Sequence, residues 1–123
     1  KSKIICISSI CGAEIIKGAP IGYSVAKAAL NFYVKFISKE LSKSEISINA
    51  ILPGNIMFKG STWEKKLKKN KSKTLKYISN NVPSKKFGTP QDIFLICEML
   101  CNNNTGFING SIFKVDGGQT LSL

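Results

Sequence analysis

Tyr23 and Lys27 stand four residues apart in the run Tyr23-Ser24-Val25-Ala26-Lys27. On a helix that spacing puts both side chains on nearly one face, about 6 Å apart along the axis. A free phenol is a poor base near neutral pH, but an ammonium held beside it favours the phenolate. A phenol so supported can give a proton to an alcohol or carbonyl oxygen, or take one from it. Ser9 adds a hydroxyl just past the apolar run Lys3-Ile4-Ile5-Cys6-Ile7. Ligands of open α/β sheets bind beyond the carboxyl ends of the strands, where such a hydroxyl can hold the same oxygen. Taken alone, a Tyr-x-x-x-Lys pair is an ordinary feature of an amphipathic surface. Its meaning depends on the elements that carry it.

Residues 3–7 are apolar without alternation, which predicts a strand covered on both faces, as in a parallel sheet. Gly18, Pro20 and Gly22 make Gly12 to Gly22 a loop. From Tyr23 to about Leu41 the pattern is helical and doubly apolar. Ala26, Leu30, Val34, Ile37 and Leu41 form one stripe; Val25, Ala29, Phe32 and Phe36 form another. One stripe can cover a sheet, and the other calls for a partner. Ile46 to Leu52 predicts a second strand, stopped by Pro53-Gly54. Ser61 or Thr62 is placed to cap one Lys-rich helical stretch to about Asn80, with Glu64 in its first turn. Pro83 to Gly88 is a connector. Thr89 caps a helix from Pro90 to about Leu100, Asn102 to Gly106 is a loop, and Ile112 to Val115 is a last strand closed by Asp116-Gly117-Gly118. Strands alternating with helices predict a parallel α/β sheet. Three strands with so apolar a first edge leave that edge open to pairing, so neighbours are expected upstream.

The 123 residues suit one domain, and 43% apolar content suits a packed core. No apolar run approaches the 18 to 20 or so residues of a membrane span, and the first ten residues lack the pattern of a signal peptide. A cytoplasmic protein without a membrane partner is the expectation. Cys6, Cys11, Cys97 and Cys101 contain no C-x-x-C pair and fall in apolar runs, so they are expected as small core residues rather than disulfides or metal ligands. The absence of His removes Ser-His-Asp hydrolysis and most catalytic metal sites. The net charge of +11 comes entirely from Lys, eight of them between Lys59 and Lys76. Without the bidentate fork of Arg, base-specific nucleic-acid binding is disfavoured. A solvated helix face is the first reading of that stretch, and contact with an anionic substrate or cofactor the next.

In order along the chain, five motifs resemble the short-chain dehydrogenase/reductase family. Ile7-Ser8-Ser9-Ile10-Cys11-Gly12 is similar to its strand-end motif, and Tyr23 follows Ser9 by fourteen residues with Lys27 beyond it. Ile48-Asn49-Ala50-Ile51-Leu52-Pro53-Gly54-Asn55-Ile56 looks like its Asn-Ala-x-x-Pro-Gly-x-Ile segment. Val82-Pro83 through Ile93 is similar to its Pro-x-x-Arg-x-Gly-x-Pro connector, and Val115-Asp116-Gly117-Gly118 to its closing strand. The resemblance covers the whole chain as the C-terminal half of a subunit. It implies a single partial domain, residues 1–123, belonging to a doubly wound Rossmann-type parallel sheet of three strands with flanking helices.

The same resemblance implies roles. Tyr23 would be the catalytic acid/base, and Lys27 would support its phenolate and bond the nicotinamide ribose. Ser9 would hold the substrate oxygen. Pro53, Gly54 and the backbone of Ile56 would cradle the nicotinamide carboxamide, with NAD or NADP as cofactor. Residues 58–81 would form the substrate lid, over a sugar-like or acyl substrate. The activity implied is reversible hydride transfer between a ketone and a secondary alcohol, in a homodimer or homotetramer joined through helix 23–41. The sequence departs from the family pattern at Phe58 (often Thr), Lys86 (usually Arg) and Asn109 (commonly Thr), and the Gly-rich dinucleotide turn would lie upstream. Three other readings stay open: a sugar-nucleotide epimerase or dehydratase of the wider superfamily, a basic binding module, and a fragment inactive by itself.

Overall fold

The computed structural model describes residues 2–102, 104 and 106–122. Strands β1 (Ser2–Ile7), β2 (Ile46–Pro53) and β3 (Ile112–Val115) form one parallel sheet in the order β1-β2-β3. Ile7 lies opposite Ile51, and Ala50 opposite Ile112. Helix α1 (Ile21–Leu41) joins β1 to β2, and α2 (Thr62–Lys69), α3 (Lys71–Asn81) and α4 (Pro90–Asn102) fall between β2 and β3. Of the loop expected over 102–106, Asn103 and Thr105 lie outside the described residues.

Strand alternation sorts β2 into two faces. Ile48, Ala50 and Leu52 join Val34 of α1 and Ile10 in the main core, with Leu30, Ile37 and Leu41 packed around them. Ile51 is also fully buried, on the opposite face, where α4 crosses β1 and β2. The first stripe of α1 thus covers the sheet from Leu30 onward, while Ala26 stays exposed. The second stripe, Val25, Phe32 and Phe36, is exposed.

β1 departs from the expected burial on both faces. It sits at the sheet edge, pairs with β2 alone, and leaves Ile4 and Ile7 40% and 47% exposed.

The Lys-rich stretch also departs from a single helix. Asn70 takes an extended conformation, ends α2 and caps α3, its Oδ1 accepting from Lys73 N at 2.9 Å. An Asn side chain that bonds a backbone two or three residues on competes with helix continuation, and Thr74 Oγ1 secures the bend by donating to the carbonyls of Lys66 and Asn70. The cap of α2 is Ser61, whose Oγ accepts from Glu64 N, while the Glu64 carboxylate accepts from Gly60 N. Thr89 and Asp92 form the reciprocal pair at α4: Asp92 Oδ2 accepts from Thr89 N, and Thr89 Oγ1 from Asp92 N.

Two asparagines anchor the sheet. Asn109 accepts from Ile48 N and donates to Ser38 O, tying α1 to β2. Asn49 donates to Ile108 O and accepts from Ser111 N. Asn109 therefore serves the scaffold by bonds that reach in two directions, which a Thr side chain is too short to duplicate.

Candidate active site

The end of β1 and the first turns of α1 are locked together through backbone groups. Lys27 Nζ donates to Ile7 O at 2.9 Å, and Ser8 Oγ donates to Lys27 O at 3.3 Å. Gly12 lets the chain pass directly over the helix: a Cβ there would lie 2.5 Å from Lys27 C and 2.6 Å from Ala28 N. Ser9 caps the 3-10 turn Ile10–Gly12, its Oγ accepting from Cys11 N at 3.1 Å. With one lone pair so occupied, the Ser9 hydroxyl keeps its proton for an outside acceptor. Lys27 Nζ is 5.7 Å from the centre of the Tyr23 ring, the one-turn pairing that the spacing predicts.

A cleft of about 830 Å³ opens beside these groups. Ser9 and Tyr23 line one side, Gly54 and Asn55 line the end of β2, and Trp63, Tyr77 and the polar side of α2 and α3 form the opposite wall. The structure therefore brings together Ser9, Tyr23 and Gly54. Lys27 stands behind Tyr23, outside the lining, and Pro53 ends β2. Ile56 faces elsewhere: its side chain packs on Gly88, where a Cβ would meet Ile56 Cδ1 at 2.7 Å. Met57 N donates to Gly88 O and Gly88 N to Asn55 O, in a parallel bridge centred on Ile56. In that pairing the flanking residues carry the bonds, and the N–H and C=O of Ile56 turn to the other side.

Gly54 has its own reason to be glycine. A Cβ there would come within 2.8 Å of Asp116 Cα, and Gly54 N donates to Val115 O. Within this chain, close approach by β3 demands it.

Several participants were not singled out from sequence. Asn55 is buried, and its Nδ2 donates to Gln119 Oε1. Gln119 Nε2 in turn donates to Tyr77 Oη at 3.3 Å, so this side chain bridges the β2 end to α3. Trp63 stacks on Tyr77 with ring centres 5.3 Å apart, meets Phe87 at 5.5 Å and carries Lys66 Nζ 4.4 Å from its ring. Of these, Trp63 is the one that the sequence does offer, with the lysines around it, as a contact for an anionic or ring-shaped substrate; Gln119 after a double glycine was the signal available for the rest. Glu14 accepts from Leu121 N and Ser122 N, tying the loop after β1 to the tail, and these bonds hold its carboxyl below the ordinary range. Burial pulls Asp116 upward, but bonds from Thr120, Gly118 and Gln119 outweigh it and leave the carboxyl below the usual value. The four cysteines are free, and burial raises the thiols of Cys6 and Cys97, which makes them less nucleophilic at neutral pH. Among the described residues, no helix is long and apolar enough to cross a membrane.

A family model described as enoyl-(acyl carrier protein) reductase matches residues 1–120. The chain belongs to the short-chain dehydrogenase/reductase family. Among curated members, it is 36% identical over 119 residues to the 3-oxoacyl-(acyl-carrier-protein) reductase FabG of Chlamydia muridarum, covering 94% of this chain and 44% of that protein. It is 32% identical over 118 residues to isoepoxydon dehydrogenase patN of Penicillium expansum, covering 96% and 45%. The chain thus spans about half the length of the curated relatives it matches. Two solved members of the family superpose closely. L-sorbose reductase of Gluconobacter frateurii, complexed with NADPH and L-sorbose, gives a TM-score of 0.84 at 31% identity, over 99% of this chain and 48% of its own. A 4-hydroxyisoleucine dehydrogenase mutant, complexed with NADH and succinate, gives 0.85 at 33% identity, over 98% and 47%. The short-chain dehydrogenase/reductase sheet in its C-terminal half is the α/β arrangement that the sequence predicts.

Proposed function

We propose that this chain is the catalytic half of a cytoplasmic NAD(P)-dependent oxidoreductase that interconverts a ketone and a secondary alcohol. The carrying observation is the cleft shared by Ser9, Tyr23 and the Gly54–Asn55 end of β2, with the Lys27 ammonium beside the Tyr23 ring. The nicotinamide half of a cofactor fits this cleft by its volume, its strand-end position and its donors. Tyr23 and Lys27 would hold the ribose, and Pro53, Gly54 and the outward N–H and C=O of Ile56 the carboxamide. When bound, the nicotinamide supplies or accepts the hydride. In the reducing direction Tyr23 gives its phenolic proton to the substrate oxygen, and in the oxidising direction it takes that proton back. Lys27, fixed by Ile7 O, stabilises the negative charge that develops on the phenolic oxygen. Ser9, with Cys11 N–H on its oxygen, donates its own proton toward the substrate oxygen and so orients it. The names of relatives such as FabG and isoepoxydon dehydrogenase, a reductase and a dehydrogenase, support this over an epimerase or dehydratase.

The exposed apolar face of α1, with Phe32 and Phe36 stacked at 6.4 Å, supports assembly of two or four subunits through this helix. Replacing Phe36 by Glu should then yield a monomer by light scattering.

The decisive test is Tyr23→Phe in the full-length polypeptide, followed by NADH or NADPH absorbance. Turnover should fall about 10²- to 10⁴-fold while cofactor affinity is kept. Unchanged turnover would refute the assignment of Tyr23.

A further inference from the structure

We infer that the lid wall of the cleft is a phosphate subsite, and that the substrate whose oxygen meets Tyr23 and Ser9 carries a phosphate group at its other end. This rests on the oxidoreductase reading for the reacting end and on the lid lysines for the distal one.

Lys66 and Lys69 of α2, Lys73 of α3 and Lys17 of the facing loop all line the cleft, and no Asp or Glu does. Among the described residues, none of these four forms an ion pair. Lys68, which is paired with Glu64 at 3.1 Å, is not part of the lining. The lid therefore lines the cleft with lysines that form no ion pair among the described residues, and its one carboxylate, Glu64, lies outside the lining. The bend at Asn70 is what makes this convergence: it ends α2 and redirects the chain so that Lys69 and Lys73 reach the same wall. Four like charges around one cleft repel one another, and a bound polyanion relieves that repulsion. Lysine ammonium groups suit phosphate as point charges. Trp63 is occupied by Tyr77, Phe87 and Lys66, so its ring serves the lid's own packing and offers little for stacking a flat substrate.

The phosphate could belong to a substrate or to the pyrophosphate of a dinucleotide, and a single assay separates them. Trp63 is the only tryptophan and lies in the cleft beneath Lys66, so its fluorescence reports events there. Titration with inorganic phosphate should give a saturable change that potassium chloride at equal ionic strength does not. The double variant Lys69→Gln/Lys73→Gln should bind phosphate about tenfold more weakly, whereas Lys35→Gln/Lys39→Gln on α1 should match wild type. Phosphate should still bind in the presence of saturating NADH or NADPH. An equal response to chloride, an equal loss in the α1 control, or displacement by dinucleotide would overturn the subsite. Phosphate binding in a full-length protein that turns over no carbonyl would overturn the oxidoreductase reading alone. Turnover of neutral carbonyls without phosphate binding would overturn the subsite alone.

Discussion

The two walls of the cleft are built by different means. On the Ser9–Lys27 wall three side chains are pinned to main chain, Lys27 to Ile7 O, Ser8 to Lys27 O and Ser9 to Cys11 N, with Gly12 pressed on the helix backbone, while the exposed Tyr23 ring is placed by α1 and the Lys27 ammonium beside it. On the lid wall α2 and α3 pack on each other through side chains, chiefly Trp63 and Tyr77, and present flexible lysines. Proton transfer depends on placement within a fraction of an ångström, whereas recognition of a charged group tolerates long, mobile side chains. On the proposed function, the chemistry would rest on backbone geometry and the selectivity on side chains that can be exchanged at small structural cost.

The largest break in this contrast should come from one methyl group on the rigid wall. Gly12→Ala places a Cβ within 2.7 Å of three backbone atoms of Lys27 and Ala28, and backbone cannot swing aside. Overpacking of this kind costs about 3 kcal/mol. It should lower the urea midpoint and displace Lys27 and Ser9 together. Gly22→Ala is the matched control: the site is within α1 and nothing lies within 4 Å of the added carbon. There the same change should stabilise by up to about 1 kcal/mol. Similar destabilisation by both variants would show that the wall is not rigid at Gly12.

A smaller effect is expected on the lid. Trp63→Ala removes the stack on Tyr77 and the contact with Phe87. Trp63 is only partly buried, so the cost should be about 2 kcal/mol, below the range for a fully buried aromatic. In the full-length protein KM should rise more than kcat falls if, as proposed, the lid positions substrate and Trp63 is not in contact with Tyr23 or Lys27. A fall in kcat with KM unchanged would mean that the two walls are coupled through Gln119.

What was legible in the sequence follows the same division. The placement of Ser9 and Lys27 around Tyr23 was readable because it depends on spacing along one strand end and one helix, and local geometry fixes both. The strands and α1 were readable for the same reason, through β-branched runs and paired stripes. The break at Asn70 was not, since it turns on whether one side chain bonds Lys73 N instead of solvent. The exposure of Ile4 and Ile7 was missed because burial of an edge strand depends on neighbours its own residues do not specify. Gln119, linking residues 55 and 77, could not be found by any pattern within a local window.

The smallest predicted effect is acid sensitivity, and it bears on how β3 supports the rigid wall. Asp116 meets Gly54 at the end of β2 and accepts from Thr120 and Gly118, so its folded carboxyl sits below the ordinary value despite the opposing effect of burial. Asp92, held down by bonds from Thr89, Glu14, held down by the tail, and Glu64, held down by Gly60 N–H and then Lys68, shift the same way. A carboxyl whose folded value is depressed releases its proton more readily in the folded state. Its stabilising contribution is then complete above about pH 4, the unfolded value, and disappears as pH falls through the folded one. Urea midpoints should stay flat from neutrality down to that point and decline below it. Asp116→Asn should lower the midpoint at pH 7 and shallow the decline in acid, because one of the four titrating contacts is already gone. An unchanged acid slope in that variant would place the sensitivity at Asp92, Glu14 and Glu64, and would detach the turn after β3 from the support of the Gly54 wall.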